Sequence, residues 1–166
     1  MAREKHPAAK FQILGPTDAG KRGVPAADLA KWESEGIVEL LGTAPDVRPF
    51  IEAADCVVLP SYREGMPRVL LEAGAMGRPV IAADVPGCRQ IVRHGETGFL
   101  AEARSGKVLA NKMIEMIGLK PSERARMGQR AREIVENEFS DELVDRAYLK
   151  ALASIGAAGG VAHARS

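Results

Sequence analysis

Apolar residues gather in short, almost unbroken runs at 11–15 (FQILG), 37–41 (IVELL), 56–60 (CVVLP), 79–82 (PVIA) and 98–100 (GFL), and each run predicts a strand. Pro25 opens a helical stretch over 26–35 that Gly36 closes, and a second stretch over 68–76 (RVLLEAGAM) starts after Pro67 and ends at Gly77. Strands that are apolar through their length, alternating with helices, predict an α/β fold: a doubly wound, Rossmann-like parallel sheet of about five strands covered on both faces. Beyond residue 104 the period is helical only. Leu109, Met113, Met116 and Ile117 share one face, and Met127, Ala131, Ile134 and Val135 line a second helix studded with Arg and Glu. Ser140 reads as the N-cap of a third helix with Leu143, Ala147 and Leu152 as its stripe. Methionines at helical spacing read as packing, so Met113 and Met116 are assigned no chemistry.

With 166 residues the chain fits one domain, expected over 1–155, followed by an aperiodic tail over 156–166. Lys and Arg number 23 against 22 Asp and Glu, a net charge of +1, and aromatics are 4%; this is not the composition of a nucleic-acid binder. No apolar run approaches the ~18 residues of a membrane span. The opening MAREKHP has no signal-peptide core, so the expected location is cytoplasmic, with membrane contact at most peripheral. Cys56 and Cys88 stand apart from each other, and His6, His94 and His163 are scattered, so no metal site is predicted.

Two stretches carry candidate chemistry. Residues 15–21 (GPTDAGK) have the glycine and lysine spacing of a phosphate-cradling loop, but Arg22 stands where a Ser or Thr would hold magnesium, and Pro25 interrupts the helix that should follow. A polar loop is the better reading. The segment 59–85 (LPSYREGMPRVLLEAGAMGRPVIAADV) is richer: a strand ends, a loop carries Glu64 and Gly65, a helix opens near Pro67, and Glu72 lies within its first two turns. A helix start at the carboxyl edge of a parallel sheet presents N–H groups to phosphates. Gly65 admits a ligand close to the main chain. Glu72, beside apolar Leu70, Leu71 and Ala73, is placed to accept two hydrogen bonds from a vicinal diol such as a ribose.

The pair Glu64 and Glu72 in S-Y-R-E-G-M-P-R-V-L-L-E-A, followed by G-R-P-V-I-A, V-P-G-C-R and H-G-E-T-G-F-L, closely resembles the nucleotide-sugar-binding domain of glycosyltransferase family 4, retaining enzymes of the GT-B fold. The resemblance covers about 11–140 and is similar in wording to members that build bacterial surface polysaccharides. It implies that Glu72 binds the ribose hydroxyls of the donor and that Glu64 serves as the catalytic-site acid on the donor hexose. Gly65 and Met66 would offer backbone near the sugar or diphosphate, Val69 and Leu70 would face the phosphates, and 37–41 would form part of the base pocket. The implied ligand is a nucleotide-sugar substrate, expected to be a UDP-sugar, with no other cofactor and no metal. Gln90 stands where the family often has Glu, and Gly87 looks like the family's turn after a strand.

The family's first strand and its diphosphate-binding Arg and Lys would precede residue 11, and the acceptor-binding domain would lie outside this sequence altogether. The expected protein is therefore a donor-binding half lacking its first, central strand and inactive alone, with Arg63, Arg68 or Lys21 as substitute cations. An acceptor domain or partner chain would complete it, and exposed strand edges would favour a homo-oligomer. The alternative is a non-catalytic nucleotide or nucleotide-sugar binding module that acts with a partner.

Overall fold

The computed structural model describes residues 2–16, 23–140, 142–143, 145–146, 148–150 and 152–153. All five expected strands form, within a residue or two of the apolar runs: β1 Gln12–Leu14, β2 Glu39–Gly42, β3 Val57–Leu59, β4 Val80–Ala83 and β5 Gly98–Ala101. Helices α1 Ala2–Lys5, α2 Ala26–Ser34, α3 Arg48–Ala53, α4 Arg68–Ala75, α5 Pro86–Ile91, α6 Gly106–Gly118 and α7 Pro121–Glu138 complete the order. Periodicity misses α3 and α5. Each has six residues and a proline in its first turn, too short to display a helical stripe. Gly87, expected in a turn, belongs to the first turn of α5.

Every strand pairs in parallel, as apolar strands joined by helices require, but the ladder is broken into two sheets. In one, β1 lies beside β2 with Ile13 opposite Leu40. In the other the order is β3-β4-β5, with Val58 opposite Ile81 and Ile81 opposite Phe99. Among the described residues β1 and β3 therefore each have a single strand neighbour. Burial follows from this: every residue of β4 is buried, whereas β3 is half-buried and β1 begins with an exposed Gln12.

The alternation of side chains along β4 divides the core between its two faces. Val80 and Ala82 join Leu70 and Ala73 of α4 and Cys88 and Ile91 of α5 on one side. Ile81 joins Phe99 of β5 and Met116 of α6 on the other, with Leu109 and Met113 packed against them. Met113 and Met116 are thus packing residues. Helix α7 lies against α4, where Gly128 meets the turn after that helix: a Cβ there would overlap the Gly77 carbonyl oxygen and stand 2.6 Å from its carbon and 3.3 Å from the Arg78 nitrogen.

Past α7, the Leu143 N–H donates to the Ser140 carbonyl at 3.0 Å, and the described residues of 142–153 are helical. Leu152 is more than half exposed, as are Tyr148 and Leu149, so the expected stripe is not packed there; Ala147 lies outside the described residues. The tail from 156, and 17–22 of the loop with the phosphate-loop spacing, including Lys21, also lie outside them.

The Gly128 contact gives a stability prediction. Overpacking costs about 1–3 kcal/mol and alanine regains ~1 kcal/mol of helix propensity, so Gly128→Ala lowers the urea midpoint. Gly118→Ala, with nothing within 4 Å of the added methyl, leaves it unchanged or raises it.

Candidate functional site

Parallel order puts the segments that follow β3, β4 and β5 at one edge of the three-stranded sheet, its carboxyl edge. The segment after β3 runs from Pro60 into α4 and carries both acids. Pro67 is buried at the N-cap, and α4 can start there because the first-turn N–H groups have no intrahelical acceptor. The Leu70 N–H donates to the Pro67 carbonyl at 3.1 Å, and its side chain is fully buried. Leu70 is therefore a floor residue of the core. Among the described residues no acceptor is taken by the N–H groups of Arg68 and Val69, which are what this helix start leaves for a ligand.

Glu72 is half-buried one turn further on, and its Oε1 lies 3.7 Å from Nη2 of Arg68. The Arg68 side chain is 90% exposed. A loose exposed pair of this kind contributes about 0.2–1 kcal/mol and leaves the carboxylate available. Glu64 is half-buried, and its carboxylate accepts no hydrogen bond among the described residues. Gly65 is exposed, the place of an added Cβ is open, and Met66 beside it is half-exposed. The structure thus brings Glu64, Gly65, Met66, Arg68, Val69 and Glu72 to one stretch of the carboxyl edge.

Two neighbours carry no assigned role in the sequence motifs. Arg104, between β5 and α6, has a φ of 64°, a left-handed conformation that a non-glycine residue adopts only when its surroundings hold it. Its guanidinium stands 5.6 Å from the centroid of the Tyr62 ring, tying the segment after β5 to the one after β3. Asp84, after β4, accepts from Nε of Arg89 at 2.5 Å and secures the start of α5. Their position directly after an apolar strand was the available signal.

A recess of 70 Å³ lies beside Tyr62, Ala83, Arg104 and Ser105 at this edge. Ligand pockets commonly measure ~300–1,000 Å³, so the described residues form an open platform rather than an enclosure. A larger recess of 380 Å³ lies near the amino end of β5, lined by Gly95, Glu96, Met127 and Arg130, with Nε of Arg130 2.5 Å from Oε1 of Glu96.

Neither thiol offers a nucleophile. Burial pushes Cys88 up, and the charges of Glu64 and Asp84 push it further. Burial pushes Cys56 up to about 12, against the opposing charge of Arg124. Among the described residues no three His, Cys, Asp or Glu side chains are grouped as metal ligands.

Residues 1–118 match the family model for glycosyl transferases group 1. Over 119 residues the chain is 35% identical to the lipopolysaccharide core biosynthesis glycosyltransferase LpsE of Rhizobium meliloti, an overlap of 72% of this chain and 35% of that protein. It is 36% identical over 135 residues to the capsular polysaccharide biosynthesis glycosyltransferase CapM of Staphylococcus aureus, covering 81% of this chain and 35% of the other. Its structure superposes on HepE from Anabaena in complex with UDP, with a TM-score of 0.81 and 26% identity over 89% of this chain and 42% of that one. The chain spans about a third of the length of the curated relatives it matches.

The raised thiols fix a sign. The folded state holds these protons more tightly, so their stabilising contribution is complete below the ordinary thiol value of 9.0 and, for Cys56, is lost as pH rises toward about 12. At pH 8 neither cysteine of the folded chain should react with a disulfide reagent within the time that urea-unfolded chain reacts fully. Rapid labelling of the native chain would contradict the burial described.

Proposed function

The chain belongs to the glycosyl transferases group 1 family, and from that premise we propose that it is the donor-binding half of a retaining transferase that moves a sugar from a UDP-sugar to an acceptor in bacterial polysaccharide synthesis. The observation that carries this reading is the pairing of Glu64 and Glu72 around an open backbone at Gly65 and a helix start with two uncommitted N–H groups. UDP in the HepE complex and the polysaccharide-building names of LpsE and CapM support the choice of nucleotide and pathway class.

In this reading Glu72 accepts two hydrogen bonds from the ribose diol. Glu64 accepts from hydroxyls of the donor hexose, while Gly65 and Met66 lie along the sugar and diphosphate. The N–H groups of Arg68 and Val69 meet the phosphates, with Leu70 as the apolar floor beneath. In the reaction the bond from the anomeric carbon to the diphosphate oxygen breaks, its electron pair leaving with UDP. A bond to the acceptor oxygen forms on the same face, and that oxygen's proton passes to the departing diphosphate oxygen. The charge developing on UDP is stabilised by the helix amides and by the exposed Arg63 and Arg68.

Positioning of an acceptor supplies ~7–11 kcal/mol of such a barrier, and among the described residues nothing stands opposite the donor site. An acceptor-binding domain or partner chain provides that half. Among the described residues no helix is long and apolar enough to cross a membrane. In this reading the protein works at the cytoplasmic side, with membrane contact at most peripheral.

Calorimetry on the purified chain tests the assignment. Glu72→Gln should weaken UDP binding by about 1–3 kcal/mol, the scale for hydrogen bonds to a charged group. Glu64→Gln should leave UDP unchanged and remove the extra affinity for a UDP-sugar. Equal losses of UDP affinity from both substitutions would overturn the two roles.

A second assay addresses activity. Incubated with labelled UDP-sugar and lipid-linked or simple acceptors, the chain alone should release no UDP above background. Turnover by the monomer would refute the division of labour, and binding that never leads to transfer, even with an acceptor domain supplied, would favour a binding module.

A further inference from the structure

Gly87 is buried in the first turn of α5, and its φ lies outside the left-handed region that favours glycine. Its own backbone therefore asks for nothing special, and a helical glycine is about 1 kcal/mol less favourable than alanine. What excludes a side chain is space. A Cβ at Gly87 would overlap the carbonyl oxygens of Glu64 and Gly65 and stand 2.8 Å from the Glu64 carbonyl carbon, where ordinary contact begins at 3.4 Å.

The segment it touches has little else to hold it. Among the described residues 61–66 form no hydrogen bond, and the segment is tied only by its two ends, by the Tyr62–Arg104 contact and by this approach to Gly87. Helix α5, in contrast, is fixed: Val85, Cys88 and Ile91 are buried in the same cluster as Leu70 and Ala73 of α4, and Asp84 binds Arg89. Two loop carbonyls thus rest on a rigid floor that is continuous with the helix bearing Glu72.

The geometry points to Gly87 as the positioning residue for Glu64: its missing side chain seats the Glu64 and Gly65 carbonyls on α5 and so sets where the Glu64 carboxylate stands relative to Glu72. This rests on the reading of Glu64 as the sugar-binding acid. A methyl group at Gly87 would displace the loop by on the order of 1 Å, a misplacement on the scale that costs about 100-fold in productive geometry.

The test compares wild-type chain, Gly87→Ala, Glu64→Gln and the double variant, with UDP and UDP-glucose as probes. Gly87→Ala should weaken UDP only slightly, through Gly65 and Met66, and lose the extra affinity for UDP-glucose. The double variant should lose no more than either single one, because both act on the same contact. A glycine with a merely structural role would lower stability and weaken both ligands alike. In the wild type, backbone amide order parameters at Glu64 and Gly65 should be near ~0.85, the rigid value, despite the absence of hydrogen bonds. Retention of the UDP-glucose preference by Gly87→Ala, or wild-type order parameters below ~0.6, would overturn the positioning role. If Gly87→Ala does not fold, the wild-type order parameters decide. If Glu64→Gln keeps the UDP-glucose preference, the sugar-binding reading of Glu64 fails, and the order parameters still judge the seat on α5.

Discussion

The arrangement depends on β4, which is buried along its whole length between β3 and β5 and between two layers of helix. Its parallel pairing on both sides obliges β3, β4 and β5 to end at one edge, so the segments bearing Glu64, Asp84 and Arg104 converge there. Its alternating side chains anchor α4 and α5 on one face and α6 on the other. Full burial of a side chain such as Leu70 or Ile81 contributes about 1.5–3 kcal/mol. An exposed pair such as Arg68–Glu72 contributes a fraction of that. The platform is thus held by its core while the acids above it remain spare, which lets substitutions at Glu64 or Glu72 report on ligands rather than on folding.

Much of this was legible in the sequence, for a physical reason. Short strands that feed a buried sheet stand out as apolar runs, so five runs located five strands, although only β4 is buried along its whole length. Proline and glycine bracketed α2 and α4 because one tolerates a helix start and the other a helix end. The Glu64 and Glu72 spacing stood out because the acids flank an apolar helix entry, and the structure sets both at the carboxyl edge. Tertiary pairing was not legible. Nothing in a run of apolar residues states which strand it will pair with, and the split between β1-β2 and β3-β4-β5 emerged only in three dimensions. The same holds for the burial of Leu70: the family resemblance sets it at the phosphate-facing helix start, and only packing shows its side chain in the core. Gly87 read as a turn, because the sequence marks a glycine and not the carbonyls that press against it.

The electrostatics match an open site. The acids are half-buried, the nearby arginines are exposed, and the N–H groups of the α4 start point to no protein acceptor among the described residues. On the proposed reading, a nucleotide diphosphate would be recognised through backbone amides, a diol-binding carboxylate and exposed arginines, a set that orients a ligand without enclosing it. On the same reading, enclosure falls to whatever faces this edge, and weak binding by this chain alone is the expected consequence.

Donor nucleotide is proposed to sit on the Gly65 to Glu72 stretch, and titration of UDP into isotopically labelled chain, followed by amide chemical shifts, tests this directly. Saturable shifts are expected, centred on Gly65, Met66, Arg68, Val69 and Glu72, with smaller ones at Gly87. Shifts centred instead on the Gly95 and Glu96 recess, or none at millimolar UDP, would contradict it.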